Sequence, residues 1–375
     1  MKNNRNKQMN RWTTAMMCLG IFCIMGCNMN SNHITYDLYV GTYTDGDSNG
    51  IYQLKFNANT GALTNKQLAA NIENPSFIKF SPDNSILYSV LETDTFEDTS
   101  GGVMAYELLD GKLIQKGAMA TVGAHPCHIA VSDDGQYLAA SSYTGGNVTI
   151  FSLDEFGGLM NDPQVIDLQS LDTVKTSHAH SAAFTKEGLF IADLGLDAMK
   201  RFSMDAGKFK PNEQPSIDLP SGAGPRHFTF GQDGKFLYTI NELNSTITVF
   251  ERTGSKYIEK ETHTTLANDF LGESYCADIH LSPDGNFLYG SNRGEQTIVI
   301  FRVDKATGSL SLVDRESVRG DWPRNFTMDP TGKYLLVANQ KSSNIVVFRR
   351  DQELGTLEFL EEIELPNPVC LEFLD

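Results

Sequence analysis

Short runs of apolar and β-branched residues, each ended by a polar turn, recur along almost the whole chain. One such run, followed by a turn of the Pro-Asp-Gly type, occurs six times with the same layout. Its copies occupy residues 74–84, 125–135, 178–188, 224–234, 275–285 and 322–332. Runs of this length, rich in β-branched and aromatic residues and bounded by Gly, Asp and Asn, are typical of β-strands. The pattern predicts an all-β protein built from a repeated unit.

Each copy of this template continues into further strand-like segments. A second run such as residues 334–338 (YLLVA) leads through a turn to a third run such as residues 345–348 (IVVF). A looser fourth segment follows a turn glycine, as at residues 307–312 (TGSLSL). The residues that end the template turns, from Asn84 to Gly332, are spaced by 46 to 53 residues. Four strands in about fifty residues form the blade of a β-propeller.

The two ends of the chain together supply the remaining blade. Residues 367–373 (NPVCLEF) match only the first strand of the template, whereas residues 36–43 and 50–54 match the second and third. The C-terminal strand at residues 368–373 should therefore pair with the strand near residues 38–42. We predict a seven-bladed β-propeller whose ring is closed by the N- and C-terminal strands, as one domain over residues 34–375.

In a propeller the first strand of every blade lines the central channel, so equivalent positions form rings around the axis. The first ring holds Ser76, Cys127, His180, Arg226, Ala277, Arg324 and Val369. The second ring holds Phe77, His128, Ser181, His227, Asp278, Asn325 and Cys370. A third set, at the ends of the second strands, holds Tyr43, Glu92, Tyr143, Leu194, Glu242, Arg293 and Gln340. Small or apolar residues would fill a purely structural channel, so these polar rings predict a site at one mouth.

The charge balance argues against one class of partner. The chain carries 30 Lys+Arg against 47 Asp+Glu, a formal charge of -17, so we expect no binding to nucleic acid. Arginines in the channel of such an acidic chain suggest a small anionic ligand instead, because a guanidinium stays charged and forks onto carboxylate or phosphate. We assign this chemistry to Arg226 and Arg293. Arg324, which repeats the Pro-Arg element of residues 225–226, is assigned to substrate binding.

Glu242 and the histidines are the candidates for proton transfer. Glu242 could instead be paired with Arg226, and the channel arginines could merely neutralise acidic residues, leaving an uncharged ligand. His178 and His180 are two positions apart, so on an extended strand both side chains would point to the same side. That spacing also suits zinc ligation, which we keep as an alternative.

The other two imidazoles of the second ring have a second interpretation as well. We assign His128, His178 and His227 to substrate binding, although packing histidines would occupy the positions of His128 and His227. The three cysteines beyond residue 27, namely Cys127, Cys276 and Cys370, lie in apolar strand-like runs without zinc spacing. An odd set of this kind makes no disulfide framework, so we interpret them as packing residues.

The N-terminus is typical of an exported chain. Basic residues without acids in positions 2–11 precede a mostly apolar run over residues 15–25 that is too short to span a membrane. The run ends in residues 24–27 (IMGC), which resemble the lipobox of bacterial lipoproteins. We predict a signal peptide over residues 1–26, lipidation at Cys27 and a tether over residues 27–33, with the protein anchored on the periplasmic side or in the outer membrane. An ordinary secretory signal with a chance cysteine is the alternative.

Several of these segments together carry a family resemblance. They are residues 39–43 (YVGTY), 178–181 (HAHS), 224–228 (GPRHF), 241–243 (NEL), 278–285 (DIHLSPDG), 291–294 (SNRG) and 323–326 (PRNF). In this order they resemble the lactonase family of seven-bladed propellers, which contains bacterial 6-phosphogluconolactonases and a fungal carboxymuconate cyclase. The resemblance implies a site without metal or cofactor, built from His180 (or His178), Arg226, Glu242 and Arg293. A phosphorylated sugar lactone is a cytoplasmic substrate, however, whereas this chain is predicted to be exported.

The resemblance also implies a reaction. We expect a monomer that opens a small anionic sugar-acid lactone and touches the membrane only through its lipid. Three alternatives remain open: a carboxymuconate-type cycloisomerase, a propeller that binds a ligand without turnover, and a metal-dependent lactonase. The oxygen ligands of that last alternative would come from Asp193, Asn241, Glu242 and Asn292.

Overall fold

The burial of each strand follows from its place in a blade. In one blade the second and third strands, Tyr334–Asn339 and Asn344–Arg350, are almost fully buried, because neighbouring blades cover both faces. The fourth strand, Leu357–Glu364, faces solvent and alternates between polar and apolar residues. The computed structural model describes residues 34–231 and 234–374. The predicted signal peptide, Cys27 and the tether lie outside the described residues.

Twenty-eight strands in the described ranges form seven antiparallel sheets of four strands each. In chain order the first fourteen are β1 (Thr35–Thr42), β2 (Gly50–Asn57), β3 (Leu63–Asn71), β4 (Ile78–Phe80), β5 (Ile86–Leu91), β6 (Gly102–Leu109), β7 (Lys112–Ala120), β8 (Pro126–Val131), β9 (Tyr137–Ser142), β10 (Asn147–Ser152), β11 (Gln164–Asp167), β12 (Ala179–Thr185), β13 (Gly188–Asp193) and β14 (Ala198–Asp205). The other fourteen are β15 (Lys208–Asp218), β16 (Pro225–Phe230), β17 (Phe236–Asn241), β18 (Thr246–Thr253), β19 (Lys256–Thr264), β20 (Tyr275–Leu281), β21 (Phe287–Arg293), β22 (Thr297–Val303), β23 (Leu310–Ser317), β24 (Pro323–Met328), β25 (Tyr334–Asn339), β26 (Asn344–Arg350), β27 (Leu357–Glu364) and β28 (Pro368–Leu374).

The sheets are the blades of a propeller. Blade 1 consists of β28, β1, β2 and β3, and blades 2 to 7 each take the next four strands in order from β4 to β27. A short 3-10 turn, Gln169–Leu171, leads from blade 3 to blade 4. Among the described residues, no helix is long and apolar enough to cross a membrane.

The ring closes as the sequence predicts. Strand β28 pairs antiparallel with β1, from Asp37 opposite Leu374 to Thr42 opposite Pro368. The last strand of the chain thus becomes the innermost strand of the first blade. The prediction of a seven-bladed ring closed by its two ends is confirmed.

The hydrophobic core lies between blades rather than inside one sheet. One cluster joins Leu54 and Phe56 of blade 1 to Leu336 and Val347 of blade 7. Another joins Tyr238 of blade 5 to the β21 and β22 strands of blade 6. Because every blade packs against two neighbours, the inner strands are held firmly enough to fix side chains at the channel.

The innermost strands carry one irregularity that positions the site. In β8, β12, β16 and β24 the pairing with the next strand shifts by one residue near the start of the strand. The extra residue in each case is a member of the first ring, namely Cys127, His180, Arg226 and Arg324. A β-bulge bends the strand and redirects a side chain. The first ring is therefore a ring of bulged residues.

The residue two positions before the first-ring residue often has an unusual backbone conformation. In five blades it precedes a proline and has a positive φ between 42° and 69°; these residues are Asn74, His125, Gly224, Trp322 and Asn367. Asparagine and glycine accept this left-handed conformation readily, whereas histidine and tryptophan do so rarely. The same backbone bend recurs around the ring whatever the side chain, so it belongs to the fold.

Candidate active site

Glu242 holds two of the predicted arginines together. Its Oε2 lies 3.0 Å from Arg226 Nε and 2.8 Å from Arg293 Nη2. Glu242 follows β17 of blade 5, and Arg293 ends β21 of blade 6, so the carboxylate bridges adjacent blades. Arg226 Nη1 also donates to the backbone oxygen of Ala277 at 2.6 Å. The structure therefore brings Arg226, Glu242 and Arg293 into one cluster, as the sequence predicts.

The electrostatics of this cluster keep all three groups charged. Burial alone would raise the pKa of Glu242, but Arg293 and Arg226 outweigh it and hold that pKa below the ordinary value. Burial, together with the charges of Arg293 and Arg324, lowers the pKa of Arg226 to about 10, which still leaves it protonated at neutral pH. A permanent carboxylate thus sits between two permanent cations.

His227 extends the cluster toward the channel axis. Arg226 Nη1 lies 3.3 Å from His227 Nε2, and His227 Nδ1 lies 2.7 Å from Asp278 Oδ1. Because the guanidinium can only donate, Nε2 is the acceptor and Nδ1 carries the proton that goes to Asp278. Burial and the nearby Arg226 lower the pKa of His227 to about 4, so the ring is neutral. His227 is thus committed to orienting Arg226.

Asp278 is the shared acceptor beneath this network, a role that the sequence analysis did not assign. Its Oδ2 accepts from Asn325 Nδ2 at 2.6 Å and lies 3.0 Å from His280 Nε2. The signal was present, since Asp278, Asn325 and His227 belong to the same ring. Only the geometry shows that they contact each other.

His180 differs from the other imidazoles of the channel. The residue is 4% exposed, and its Nδ1 has no hydrogen-bond partner among the described residues. Its ring meets the rings of Tyr143 and His227 edge-on, with centroids 5.8 Å and 5.3 Å away. Burial and the charge of Arg226 hold the pKa of His180 well below its ordinary value, so it is neutral at pH 7. It is an uncommitted imidazole beside the arginine cluster.

His178 and His128 are engaged in other contacts. His178 stacks on the Tyr143 ring at 4.4 Å, and its Nδ1 lies 3.0 Å from the Tyr143 backbone oxygen. Both rings thus contact Tyr143, although β12 begins at residue 179 and the bulge at His180 interrupts the regular alternation expected along one strand. His128 stacks against Phe77 at 4.2 Å in the second ring.

Side chains of the second ring fill the channel axis. Rings from three blades approach each other there: the Phe77 and His227 centroids are 6.3 Å apart, and those of His128 and His227 are 5.4 Å apart. On the far side of this plug a cavity of about 590 Å³ opens at the other mouth, lined in part by Lys79, His280 and Glu372. Arg226, Glu242 and Arg293 do not line that cavity, whereas His128, which is predicted to bind substrate, does.

Arg324 makes no ion pair with Glu242. Burial alone would lower its pKa, but nearby groups, Glu92 and Glu242 among them, outweigh burial and raise it. Its guanidinium lies over the Tyr43 ring, 5.2 Å from the centroid, and no carboxylate of the described residues lies within 4.0 Å of it. Tyr43 Oη donates to both Glu92 oxygens, each at 2.9 Å, and Ser76 Oγ contacts Glu92 Oε2. Burial holds the pKa of Tyr43 above its ordinary value, so the phenol keeps its proton.

The oxygen ligands suggested for a metal are used elsewhere. The Asp193 carboxylate accepts from the backbone of His178 and Leu196, while Asn241 Oδ1 accepts from Thr239 Oγ1 and Asn292 Oδ1 accepts from Cys276 Sγ. In the part of the chain that the structure describes, no group of three or more His, Cys, Asp or Glu is arranged to hold a metal ion. These contacts give no support to Asp193, Asn241, Glu242 and Asn292 as a ligand set.

The cysteines are packing residues. Cys127, Cys276 and Cys370 are buried and free of disulfides. Burial raises the pKa of the Cys127 thiol to about 12, which makes it unreactive although it belongs to the first ring.

Fold and site together define a seven-bladed propeller with an arginine–glutamate cluster and an uncommitted histidine at one channel mouth. The family model described as the seven-bladed β-propeller lactonase matches residues 37–373, and the chain belongs to that family. It is 34% identical over 346 residues to the 6-phosphogluconolactonase of Bacillus subtilis, covering 90% of this chain and 97% of that protein. It is 38% identical over 311 residues to the 6-phosphogluconolactonase of Formosa agariphila, covering 78% and 86%. The structure of the Pseudomonas aeruginosa periplasmic gluconolactonase superposes with a TM-score of 0.84 at 32% identity, covering 91% of this chain and 99% of that one.

Proposed function

We propose that this protein hydrolyses the ring of a sugar-acid lactone at the channel mouth formed by blades 4 to 6. The observation that carries the proposal is the neutral, uncommitted His180 beside the Arg226–Glu242–Arg293 cluster. Ester hydrolysis needs a base for water and positive charge where the carbonyl oxygen becomes an oxyanion. The names of the relatives, 6-phosphogluconolactonase and gluconolactonase, point to the same chemistry.

His180 serves as the base in this proposal. It takes a proton from water as the water oxygen bonds to the lactone carbonyl carbon, and the carbonyl electron pair moves onto oxygen. Arg226 and Arg293 stabilise that oxyanion. When the intermediate collapses, the bond from carbonyl carbon to ring oxygen breaks, and the ring oxygen takes the proton back from His180. The product is an open hydroxy acid.

Glu242 has a positioning role in this scheme rather than the role of a base. The Glu242 Oε2 atom is already engaged by two guanidinium groups, whereas His180 Nδ1 has no hydrogen-bond partner among the described residues. By binding both arginines it fixes their spacing, and His227 fixes the orientation of Arg226 from the other side. The expectation that His180 or Glu242 moves the proton thus narrows to His180.

The test is a panel of sugar lactones and muconolactones, with and without phosphate, assayed with the purified protein. We expect turnover of sugar lactones by the wild type. Arg226→Ala should lose about 100-fold or more in kcat/KM, which is typical when one hydrogen-bond donor to an oxyanion is removed. His180→Gln should lose activity as well, whereas His263→Gln, on the outer strand β19, is the matched control and should keep it. Full activity in both Arg226→Ala and Glu242→Gln would place the chemistry elsewhere.

The cellular location of the protein is a separate proposal. The N-terminal pattern and the periplasmic location in the name of the Pseudomonas aeruginosa relative both support export. We propose that Cys27 carries the lipid, so Cys27→Ser should move the protein from the membrane fraction to a soluble exported fraction. Unchanged partitioning of this variant would refute lipidation at Cys27.

A further inference from the structure

The two halves of the channel mouth differ in how their charges are arranged. On blades 4 to 6 the guanidinium groups of Arg226 and Arg293 share the Glu242 carboxylate. On the opposite half, blades 7, 1 and 2, Arg324 has no carboxylate of the described residues within 4.0 Å. Glu92 and Glu242 are near enough to stabilise its charge, but its guanidinium donates no hydrogen bond to any described residue, so its N–H groups can bind an anion from outside. The Arg324 half is therefore the half prepared for a charged ligand.

Glu92 places a negatively charged hydrogen-bond acceptor beside Arg324. Both groups contact the same phenol: Arg324 lies over the Tyr43 ring, and Tyr43 Oη donates to Glu92. Hydrogen bonds from Tyr43 and Ser76 use three acceptor positions of the Glu92 carboxylate. An ionised carboxylate has about four such positions, so Glu92 can still accept a hydrogen bond from a ligand hydroxyl.

We propose that Arg324 and Glu92 form a subsite for the distal end of the substrate, recognising an anionic group on a chain that also carries hydroxyls. This inference rests on the proposed function, since it places the lactone carbonyl at the Arg226–Arg293 half. Arg324 binds the distal phosphate or carboxylate, and Glu92 accepts from a neighbouring hydroxyl. Arg226 and Arg293 then serve the reacting carbonyl rather than the distal anion.

The pairing of one cation with one carboxylate selects between substrate classes. A phosphorylated or otherwise acidic sugar acid offers one distal anion and several hydroxyl donors, which matches Arg324 beside Glu92. A muconate-type acid carries several carboxylates and no hydroxyl, so Glu92 would repel it. The subsite therefore favours the sugar-acid substrate over the carboxymuconate alternative.

Ligand binding measured by calorimetry tests the subsite without relying on turnover. The probes are 6-phosphogluconate, gluconate and muconate, titrated at low salt into the wild type and five variants. We expect the wild type to bind 6-phosphogluconate more tightly than gluconate, and Arg324→Gln to lose about 10- to 100-fold of 6-phosphogluconate affinity, the range for a charged hydrogen bond. Arg324→Lys should recover part of that affinity, because it keeps the charge without the fork.

The Glu92 arm and the controls complete the design. Glu92→Gln should weaken 6-phosphogluconate and gluconate binding and strengthen muconate binding. Arg319→Gln and Glu97→Gln remove exposed charges and should bind all three probes like the wild type. Melting curves of every variant identify any that fails to fold, and Arg324→Lys then carries the Arg324 comparison.

The outcomes separate this inference from the proposed function. Arg324-dependent preference for 6-phosphogluconate in a protein that opens no lactone would support the subsite and overturn the hydrolase. Lactone turnover with an unchanged preference in Arg324→Gln and Arg324→Lys would overturn the subsite alone. Tighter binding of muconate than of 6-phosphogluconate by the wild type would also overturn it.

Discussion

Arg226, Arg293 and Arg324 interact electrostatically with one another, yet their immediate surroundings differ. Arg226 and Arg293 are almost fully buried and depend on Glu242 for their counter-charge. Arg324 lacks such a partner among the described residues and packs on an aromatic ring instead. A sequence that places an arginine at a ring position thus leaves its role undetermined until the neighbouring carboxylates are known.

Loss of Glu242 should cost stability as well as activity. In Glu242→Gln two buried guanidinium groups face each other without a counter-ion, and removing one partner of a buried ion pair typically costs about 3–5 kcal/mol. We expect a decrease of about that size in the free energy of unfolding, measured by urea denaturation. Glu316→Gln is the control, because its pair with Arg319 is exposed and should contribute at most about 1 kcal/mol. Equal stability of the two variants would contradict the structural role of Glu242.

The pH dependence of activity should report His180. Its neutral form is the base, and burial together with Arg226 lowers its pKa well below 6.5. As pH falls, the base is lost only when pH passes that lowered pKa, so kcat/KM should stay level from neutral pH to below pH 6.5 and then decline. A pH–rate profile with a midpoint above 6.5 would mean that a different group titrates. His263→Gln should leave the profile unchanged.

At the scale of the strand, the bulges link the repeat to the site. The repeat places a residue at the same point of β8, β12, β16 and β24, and the shift in pairing turns that residue toward the channel. The template of the sequence shows which residues share this position. The shift itself is visible only in the pairing, so the bulge at His180 does not follow from the spacing of His178 and His180.

Close approach between strands also explains one glycine in the closing blade. A Cβ on Gly41 in β1 would lie 2.3 Å from the backbone oxygen of Pro75 and 3.3 Å from the Cβ of Cys370. We expect Gly41→Ala to destabilise the protein by about 1–3 kcal/mol, the usual cost of overpacking. Gly117→Ala in the outer strand β7 is the matched control, because a Cβ there meets nothing within 4 Å. A melting temperature of Gly41→Ala equal to that of Gly117→Ala would contradict this packing argument.

The sequence predicted the blades well because their determinants are local and repeated. Turn residues and β-branched runs specify each hairpin, and the period near fifty residues fixes their number. The site was predictable only as a set of positions. Among the described residues, Glu242 forms ion pairs with Arg226 and Arg293 and not with Arg324. This choice depends on distances between side chains of neighbouring blades, which no local pattern encodes.

At the scale of the molecule, closure of the ring connects the two ends of the chain to the site. Strand β28 fills the innermost place of blade 1, and its Leu371 backbone nitrogen donates to Asn325 Oδ1 of blade 7. Asn325 in turn donates to Asp278, which holds His227 beside Arg226. The C-terminal strand therefore supports the second ring, and through it the orientation of the arginine cluster.

Removal of residues 367–375 should open the ring. Strand β1 would lose its inner partner, and blade 7 would lose the β28 side of its interface, leaving two uncovered edges. We expect a loss of cooperative thermal unfolding together with aggregation, measured by circular dichroism and light scattering. A synthetic peptide of residues 366–375, added in excess, should restore cooperative unfolding and lactone binding by strand addition, whereas a scrambled peptide should not. A truncated protein that stays monomeric and melts like the full chain would show that the other six blades suffice to hold blade 1 in place.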